Sequence, residues 1–173
     1  MQLTLAQLQA IMPNARSKAG IFLPALNAAM VESGITTPAR QASFLAQVAH
    51  ESAQLLYVRE LASGAAYEGR TDLGNVVAGD GVRFRGRGLL QITGRANYAA
   101  CGVALGLDLL ASPQLLEQPV AACRSAGWFW QSRGLNRLAD AGDQVAVTRR
   151  INGGTNGLAD RLALFAVAKR VLA

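Results

Sequence analysis

The chain has 173 residues, of which 51% are hydrophobic, and a formal net charge of +6. This length suits one domain, residues 1–173, with a sizeable core, and the composition, rich in alanine and leucine, favours helices. No stretch is long and apolar enough to predict a membrane span, and the N-terminus lacks the basic start and apolar run of a secretory signal. The positive charge favours an anionic partner: nucleic acid, a membrane surface or an acidic polymer.

Taken in chain order, most predicted elements are helices. Caps, apolar periodicity and helix-ending glycines place them at 5–12, 18–33, from Pro38 onward, at 96–103, from Pro119 to Gly134, and at 135–141, 144–151 and 158–172. Pro24 predicts a kink or a late start in the second helix. Residues 62–87 are rich in glycine and predict a long irregular segment, a type of loop that is usually functional or disordered, and 87–93 predicts a short strand.

The helix from Pro38 contains the stretch FLAQVAHESAQLLYVRE, residues 44–60, whose apolar face runs from Phe44 to Leu56. Glu51 falls roughly 20° from Phe44 on the helical wheel, at the edge of that face. A carboxylate at an apolar margin is costly to ionise, which favours the protonated form that a general acid needs. The alternative is that Glu51 is an ordinary charge beside the core.

Glu60 is the second carboxylate of this stretch. If the helix continued, Glu60 would lie about 13 Å further along the axis and on the opposite side. The chain must therefore leave the helix if the two carboxylates are to cooperate, and Tyr57-Val58-Arg59 is rich enough in strand formers to predict such a change. Otherwise Glu60 is a solvated surface charge.

Two further segments combine polar groups with tight turns. The segment RFRGRG, residues 83–88, predicts either an arginine-glycine tract for phosphates or, preferably, a close-packed turn. In a strand, Gln91 and Thr93 face the same side, and with Asn97 and Tyr98 they suit sugar hydroxyls or a held water molecule. The alternative is a Thr93 helix cap among solvated groups.

The remaining candidate groups have mainly structural interpretations. Asn152 in INGG is typical of a turn, and Trp128 and Trp130 lie in an apolar helix and are predicted to be core residues. His50 is the only histidine, so a histidine metal cluster or a Ser-His-Asp triad has little to build on. The two cysteines, Cys101 and Cys123, match no zinc spacing and are predicted to be buried thiols, with a disulfide as the alternative.

Several segments together resemble glycoside hydrolase family 19. They are AHES, RELASGAAYEGR, YEGRTDLGN, FRGRGLLQITGRANY, SAGWFW, INGG and DRLALF, and they follow the family's order from Phe44 onward. The type that these segments resemble is the short chitinase-like endolysin of phages and prophages of Gram-negative bacteria. The resemblance implies a mainly helical, lysozyme-like fold of two lobes, with a small β element at the cleft.

The resemblance also implies roles for single residues. Glu51 matches the general acid, Glu60 the general base and Thr93 the hydroxyl that helps to hold the attacking water. The positions that match substrate-binding or network-forming polar residues are His50, Tyr67, Gln91, Asn97, Tyr98, Asn152 and Arg161. Arg161 matches a buried arginine that pairs with the catalytic carboxylates, and a cation beside Glu60 would hold it ionised while Glu51 stays protonated. Because the segment between the glutamates is shorter than in plant chitinases, Glu68 is a rival to Glu60.

The expected function is an inverting, endo-acting hydrolase of β-1,4-linked N-acetylated amino sugars, in peptidoglycan or chitin. The resemblance implies no metal and no organic cofactor, and we expect a monomer with no nucleic-acid partner and no stable membrane insertion. Without an export signal, the enzyme would be made in the cytoplasm and reach the wall through a separate pore or by lysis. The alternatives are a lytic transglycosylase, a cell-wall-binding protein with an inactive site, and a basic nucleic-acid-binding module.

Overall fold

A computed structural model describes residues 2–173. Its helices are α1 Leu5–Ile11, α2 Lys18–Glu32, α3 Pro38–Glu51, α4 Asp80–Arg83, α5 Arg95–Leu105, α6 Pro119–Ser132, α7 Leu135–Asp140, α8 Gln144–Asn152 and α9 Leu158–Leu172. Short 3-10 turns lie at Pro13–Ala15, Ala65–Tyr67, Thr71–Leu73 and Pro113–Glu117. The mainly helical prediction is confirmed. None of the helices in this described range is long and apolar enough to cross a membrane.

Helices α1 and α3 begin directly after the capping residues that the sequence predicts. Thr4 forms a capping box with Gln7 at the start of α1, and the Thr37 hydroxyl accepts from the Arg40 N–H at the start of α3, with Pro38 at the first helical position. Helix α2 begins at Lys18 and continues through Pro24, so the predicted late start is wrong. Ile21, predicted on the inner face of α2, is exposed.

The core lies between two pairs of long helices, α3 with α9 and α2 with α6. Trp130 of α6 is fully buried and meets Phe44 of α3 edge to face, with ring centroids 5.4 Å apart. Trp128 is half-buried against the same core, so the structural interpretation of both tryptophans is confirmed. Cys101 and Cys123 are free and buried, and burial raises the pKa of the Cys101 thiol to about 12.

The apolar spacing of the sequence predicts Leu162, Phe165, Ala166 and Leu172 as the inner face of α9, and this prediction is partly wrong. Leu162 and Ala166 are exposed, whereas Arg161, Ala168 and Leu172 form the buried side. The apolar pattern alone misplaced the face because the buried side of α9 includes a charged residue, which hydrophobic periodicity counts as surface.

The region between α3 and α5 contains little regular structure. Residues 62–87 are irregular apart from the short turns and α4, as predicted. The strand predicted over 87–93 is wrong: residues 88–91 form a tight turn, and the β element consists of isolated antiparallel bridges, Arg59 with Arg87 and Arg87 with Ile92. These bridges fasten the chain after α3 to the turn before α5, and they position the second carboxylate.

Candidate active site

Glu51 is the last residue of α3 and is held by Arg161 of α9. The Arg161 Nη2 donates to Glu51 Oε1 at 2.5 Å, and its Nη1 donates to the side-chain oxygen of Gln47. Arg161 and Gln47 are buried, whereas the Glu51 side chain is 19% exposed. A charge-assisted contact of this kind fixes the carboxylate at the open edge of the α3–α9 interface.

This arrangement corrects one sequence prediction and reveals a missed residue. Arg161 is buried as predicted and pairs with Glu51, so the cation expected beside Glu60 is not Arg161. The helical wheel predicts Gln47 on the side away from the apolar face, yet Gln47 is fully buried. Its spacing of four residues from Glu51 was the available signal, because residues i and i+4 share one side of a helix.

A left-handed turn separates the two glutamates. Ala53, Gln54 and Leu55 have φ values of 47°, 58° and 69°, in the region that residues with a side chain rarely adopt. The Ser52 hydroxyl stabilises the turn by donating to the Val48 carbonyl and accepting from the Leu55 N–H, at 2.6 and 2.8 Å. The helix predicted through Leu56 therefore ends at Glu51, and the predicted departure from the helix is confirmed.

Glu60 is held by the turn before α5. One carboxylate oxygen accepts from the Gly86 N–H at 2.8 Å and the other from the Tyr67 hydroxyl at 2.9 Å, while the Glu60 N–H donates to the Gly86 carbonyl. Burial and this contact with Glu60 raise the pKa of Tyr67. Glu60 also lines a cavity of about 250 Å³ together with Tyr57 and Arg85.

Gly86 brings Glu60 close to the polar groups of the next turn. A Cβ atom added to Gly86 would lie 2.3 Å from the side-chain oxygen of Gln91 and 3.3 Å from the Thr93 hydroxyl. A side chain at position 86 would therefore require Gln91 to move. Gln91 itself has φ of 51°, a strained conformation of the kind that concentrates at functional sites. The sequence did not single out Gly86.

Asn97 and Tyr98, predicted beside Gln91 and Thr93, have different positions. The Asn97 amide donates to the Thr93 carbonyl at 2.7 Å, so it supports the turn. Tyr98 is fully buried; its hydroxyl donates to the Arg85 carbonyl and accepts from Arg87, and burial raises its pKa to about 12. The structure therefore buries Tyr98 in the core.

His50 and Asn152 meet the loop that joins α8 to α9. His50 Nδ1 lies 2.6 Å from Asp160, and Gly157 packs so closely on the ring that an added Cβ would be 2.3 Å from it. The Asn152 side chain bonds the Gly154 N–H and the Asn156 carbonyl, which also accepts from Arg161. The turn interpretation of Asn152 is thus correct, and the same loop supports the arginine that holds Glu51.

Glu68, the rival to Glu60, and two arginines of the RFRGRG segment have structural partners. Glu68 accepts from the Gly79 and Gly81 N–H groups at 2.6 and 2.8 Å, which closes the loop before α4. Arg87 is buried against Glu117, and Arg83 donates to two carbonyls, so the RFRGRG segment is the close-packed turn that was preferred. Among residues 2–173 no cluster of three or more histidine, cysteine or acidic side chains is arranged to hold a metal ion.

The family model of glycoside hydrolase family 19, described as chitinase class I, matches residues 27–172. A glycosyl hydrolase family 19 domain-containing protein of Haemophilus influenzae is 31% identical over 82% of this chain and 84% of its own length. An endochitinase of Arabidopsis thaliana is 35% identical over 77% of this chain. This chain spans only 46% of that plant protein.

Solved structures show the same architecture. Chitinase C from Streptomyces griseus superposes with a TM-score of 0.80 and 28% identity, covering 98% of this chain and 76% of its own. A family GH19, class IV chitinase from Zea mays has a TM-score of 0.77 and 27% identity, covering 98% of this chain and 92% of its own. The expected lysozyme-like helical fold is therefore confirmed.

Proposed function

The chain belongs to glycoside hydrolase family 19 and is a hydrolase of that chitinase family, and from this premise we propose that it cleaves β-1,4 links within peptidoglycan glycan strands, with inversion. Glu51 is the general acid and Glu60 the general base. The observation that carries the proposal is the attachment of Glu60, through Gly86, beside Gln91 and Thr93. This arrangement provides one carboxylate with polar neighbours suited to a water molecule.

In the proposed reaction, Glu51 gives its proton to the bridging oxygen as the bond from that oxygen to the anomeric carbon breaks. Arg161 pairs with the carboxylate that forms and stabilises its negative charge. The Nη1 atom of Arg161 donates to the side-chain oxygen of Gln47, which is neutral. Glu51 is therefore the carboxylate with which Arg161 pairs.

On the other face of the sugar, Glu60 takes a proton from water while the water oxygen bonds to the anomeric carbon. The hydroxyl of Thr93 and the side chain of Gln91 orient that water. Tyr67 and Gly86 donate to both oxygens of Glu60, so the carboxylate keeps one orientation. An inverting enzyme needs carboxyl groups roughly 6.5–9.5 Å apart to admit the water, and we expect Glu51 and Glu60 to act across such a gap.

Peptidoglycan is proposed as the polymer because the chain carries a net charge of +6, which favours an anionic wall over neutral chitin. Glu68 is not assigned as the base because its two oxygens close the loop before α4. In this proposal the enzyme lyses bacterial walls as an endolysin.

The test digests purified peptidoglycan and chitin oligomers with the protein and with its Glu60→Gln variant. We expect soluble wall fragments that contain the elements of water and carry the α-anomer in proton NMR spectra before mutarotation. Anhydro products would show a lytic transglycosylase, and a β-anomeric product would remove Glu60 as the base. Binding to the wall without soluble products would show a wall-binding protein.

A further inference from the structure

Three arginines surround a cavity of about 470 Å³ beside the α8–α9 loop. Arg133 follows α6, and Arg149 and Arg150 lie in the last turn of α8. We call this cavity the arginine pocket. Its remaining lining includes Ile151 and Gly153. Nothing in the proposed reaction uses it.

Two of the three guanidinium groups of the pocket, those of Arg133 and Arg150, contact neighbouring groups before any ligand arrives. Arg133 lies over the Phe129 ring, 4.2 Å from its centre, and Arg150 donates to the Arg133 carbonyl at 3.0 Å. Restricted side chains lose less conformational entropy on binding than free ones, so a pocket built from them binds more tightly.

The charge of the arginine pocket is uncompensated. None of its three arginines forms an ion pair within residues 2–173, whereas Arg40, Arg124 and Arg161 each pair with a carboxylate. Burial and the charge of Arg150 lower the pKa of Arg133, which is the direction expected for a cation held near another cation. An anion in the pocket would relieve this repulsion.

Helix ends explain only part of this cluster. Cations stabilise the C-terminal ends of helices, and Arg150 donates a hydrogen bond to the Arg133 carbonyl at the end of α6. Arg133 packs on an aromatic ring, and within residues 2–173 the Arg149 side chain has no hydrogen-bond or ion-pair partner. A guanidinium with two neighbouring cations and no partner is suited to a ligand with several oxygens, since its planar fork matches carboxylate or phosphate.

The arginine pocket is connected to the candidate active site through one loop. Gly153 lines the pocket and directly follows Asn152, whose amide donates to the Asn156 carbonyl at 2.9 Å. That carbonyl also accepts from Arg161, which holds Glu51. A group bound in the pocket would therefore lie against the loop that supports the proposed acid.

We propose that the arginine pocket binds free carboxylates of the wall peptides that flank the glycan strand at Glu51. This inference rests on the proposed function, because it assigns the peptide part of the same substrate. The pocket distinguishes peptidoglycan, which carries such carboxylates, from chitin, which does not.

The experiment measures binding of the inactive Glu51→Gln protein to sedimented cell walls, untreated or with their carboxyl groups amidated. The test variant adds Arg149→Gln and Arg150→Gln. The matched control adds Lys169→Gln and Arg170→Gln, which removes the same charge from the last turn of α9. We expect the test variant to bind untreated walls about tenfold more weakly, the loss of one charge-assisted contact, and the control to change far less. Amidation should abolish the difference.

Three results would overturn the inference. Equal losses in the test and control variants would mean general electrostatic attraction. A difference that survives amidation would point to wall phosphates. A lower melting temperature of the test variant with unchanged binding would leave only the helix-end role. The proposed function is judged separately, by whether the protein with Glu51 intact releases soluble wall fragments.

Discussion

Glu51 illustrates how much of the site depends on single side-chain contacts. Its carboxylate is anchored by a buried guanidinium that also binds a neutral amide, so the one charge of Arg161 is directed at one acid. Glu60, in contrast, is held by a backbone N–H and a tyrosine hydroxyl. The two carboxylates therefore have different environments, a guanidinium beside Glu51 and neutral donors around Glu60.

Replacing Glu51 with Gln keeps the shape of the side chain but removes the proton that it transfers. We expect the rate of glycan hydrolysis to fall by about two to four orders of magnitude, the usual loss for general acid–base help, while circular dichroism stays unchanged. The control is Glu32→Gln, which breaks a surface pair with Arg124 and should leave the rate near normal. Near-normal hydrolysis by Glu51→Gln would exclude Glu51 from the mechanism.

The Gly86→Ala substitution tests the close approach beside Glu60. The added methyl would collide with the Gln91 side-chain oxygen, so Gln91 or the turn must move. We expect at least a tenfold loss of kcat with a retained fold, because small displacements of positioning groups are costly in catalysis. Gly20→Ala is the control: its Cβ meets no atom within 4 Å and it should stabilise α2 by up to about 1 kcal/mol. Unchanged kcat in Gly86→Ala would contradict the role of this turn.

At the scale of elements, the left-handed turn at residues 53–55 follows the end of α3 and directs the chain toward Glu60. Left-handed conformations cost roughly 1–2 kcal/mol per residue with a side chain, so neighbouring contacts must maintain the turn. The Gln54 side chain accepts from the Asn14 N–H at 2.8 Å, and the Lys18 ammonium donates to the Leu56 carbonyl at 2.6 Å. The segment between α1 and α2 thereby supports the turn between the glutamates.

Gln54→Ala should weaken this support without touching either glutamate. We expect a loss of about 1 kcal/mol in the free energy of unfolding, the usual net value of one hydrogen bond, and a fall in kcat larger than any change in KM. Denaturant unfolding and steady-state kinetics measure the two effects. Gln9→Ala, an exposed position on α1, serves as control. A variant that loses stability but keeps kcat would show that the turn does not position Glu60.

At the scale of the whole molecule, ion pairs join segments that are distant in sequence. Asp80 at the start of α4 is 1% exposed and binds Arg95 of α5 through both oxygens, at 2.6 and 2.8 Å, and also accepts from the Val77 N–H. Arg95 and these hydrogen bonds hold the pKa of Asp80 below its usual value, against the effect of burial. This pair fastens the irregular segment to the helical body beside the turn that holds Glu60.

Because the pKa of Asp80 is lower in the folded protein than in the unfolded chain, its stabilising effect is present above about pH 4 and is lost as the pH falls through the folded value. We expect thermal stability to decline steeply on acidification below about pH 4. Asp80→Asn should cost about 2 kcal/mol near pH 7 and flatten that decline. Asp140→Asn, which breaks an exposed pair with Arg40, should do much less. Equal effects of the two variants would contradict the special role of Asp80.

The sequence by itself determined the helical elements and the candidate acid. Caps at Thr4 and Thr37 and the proline at position 38 act through local hydrogen bonds and backbone geometry, so they could be identified without knowing the fold. The ordered motifs around Glu51 and Glu60 likewise indicated the family that the comparisons show. Local rules are sufficient wherever the partners of a group lie within one turn of the chain.

Only the tertiary structure decided which groups meet. The contact of Gln54 with Asn14, forty residues away, supports the turn after α3, and the partner of Arg161 depends on the packing of α3 against α9. Tyr98 was assigned to a binding surface from its polar neighbours, but the core around Phe84 buries it. Such outcomes follow from long-range packing, which overrides local preference because burial and paired charges contribute more than the propensity of any one residue.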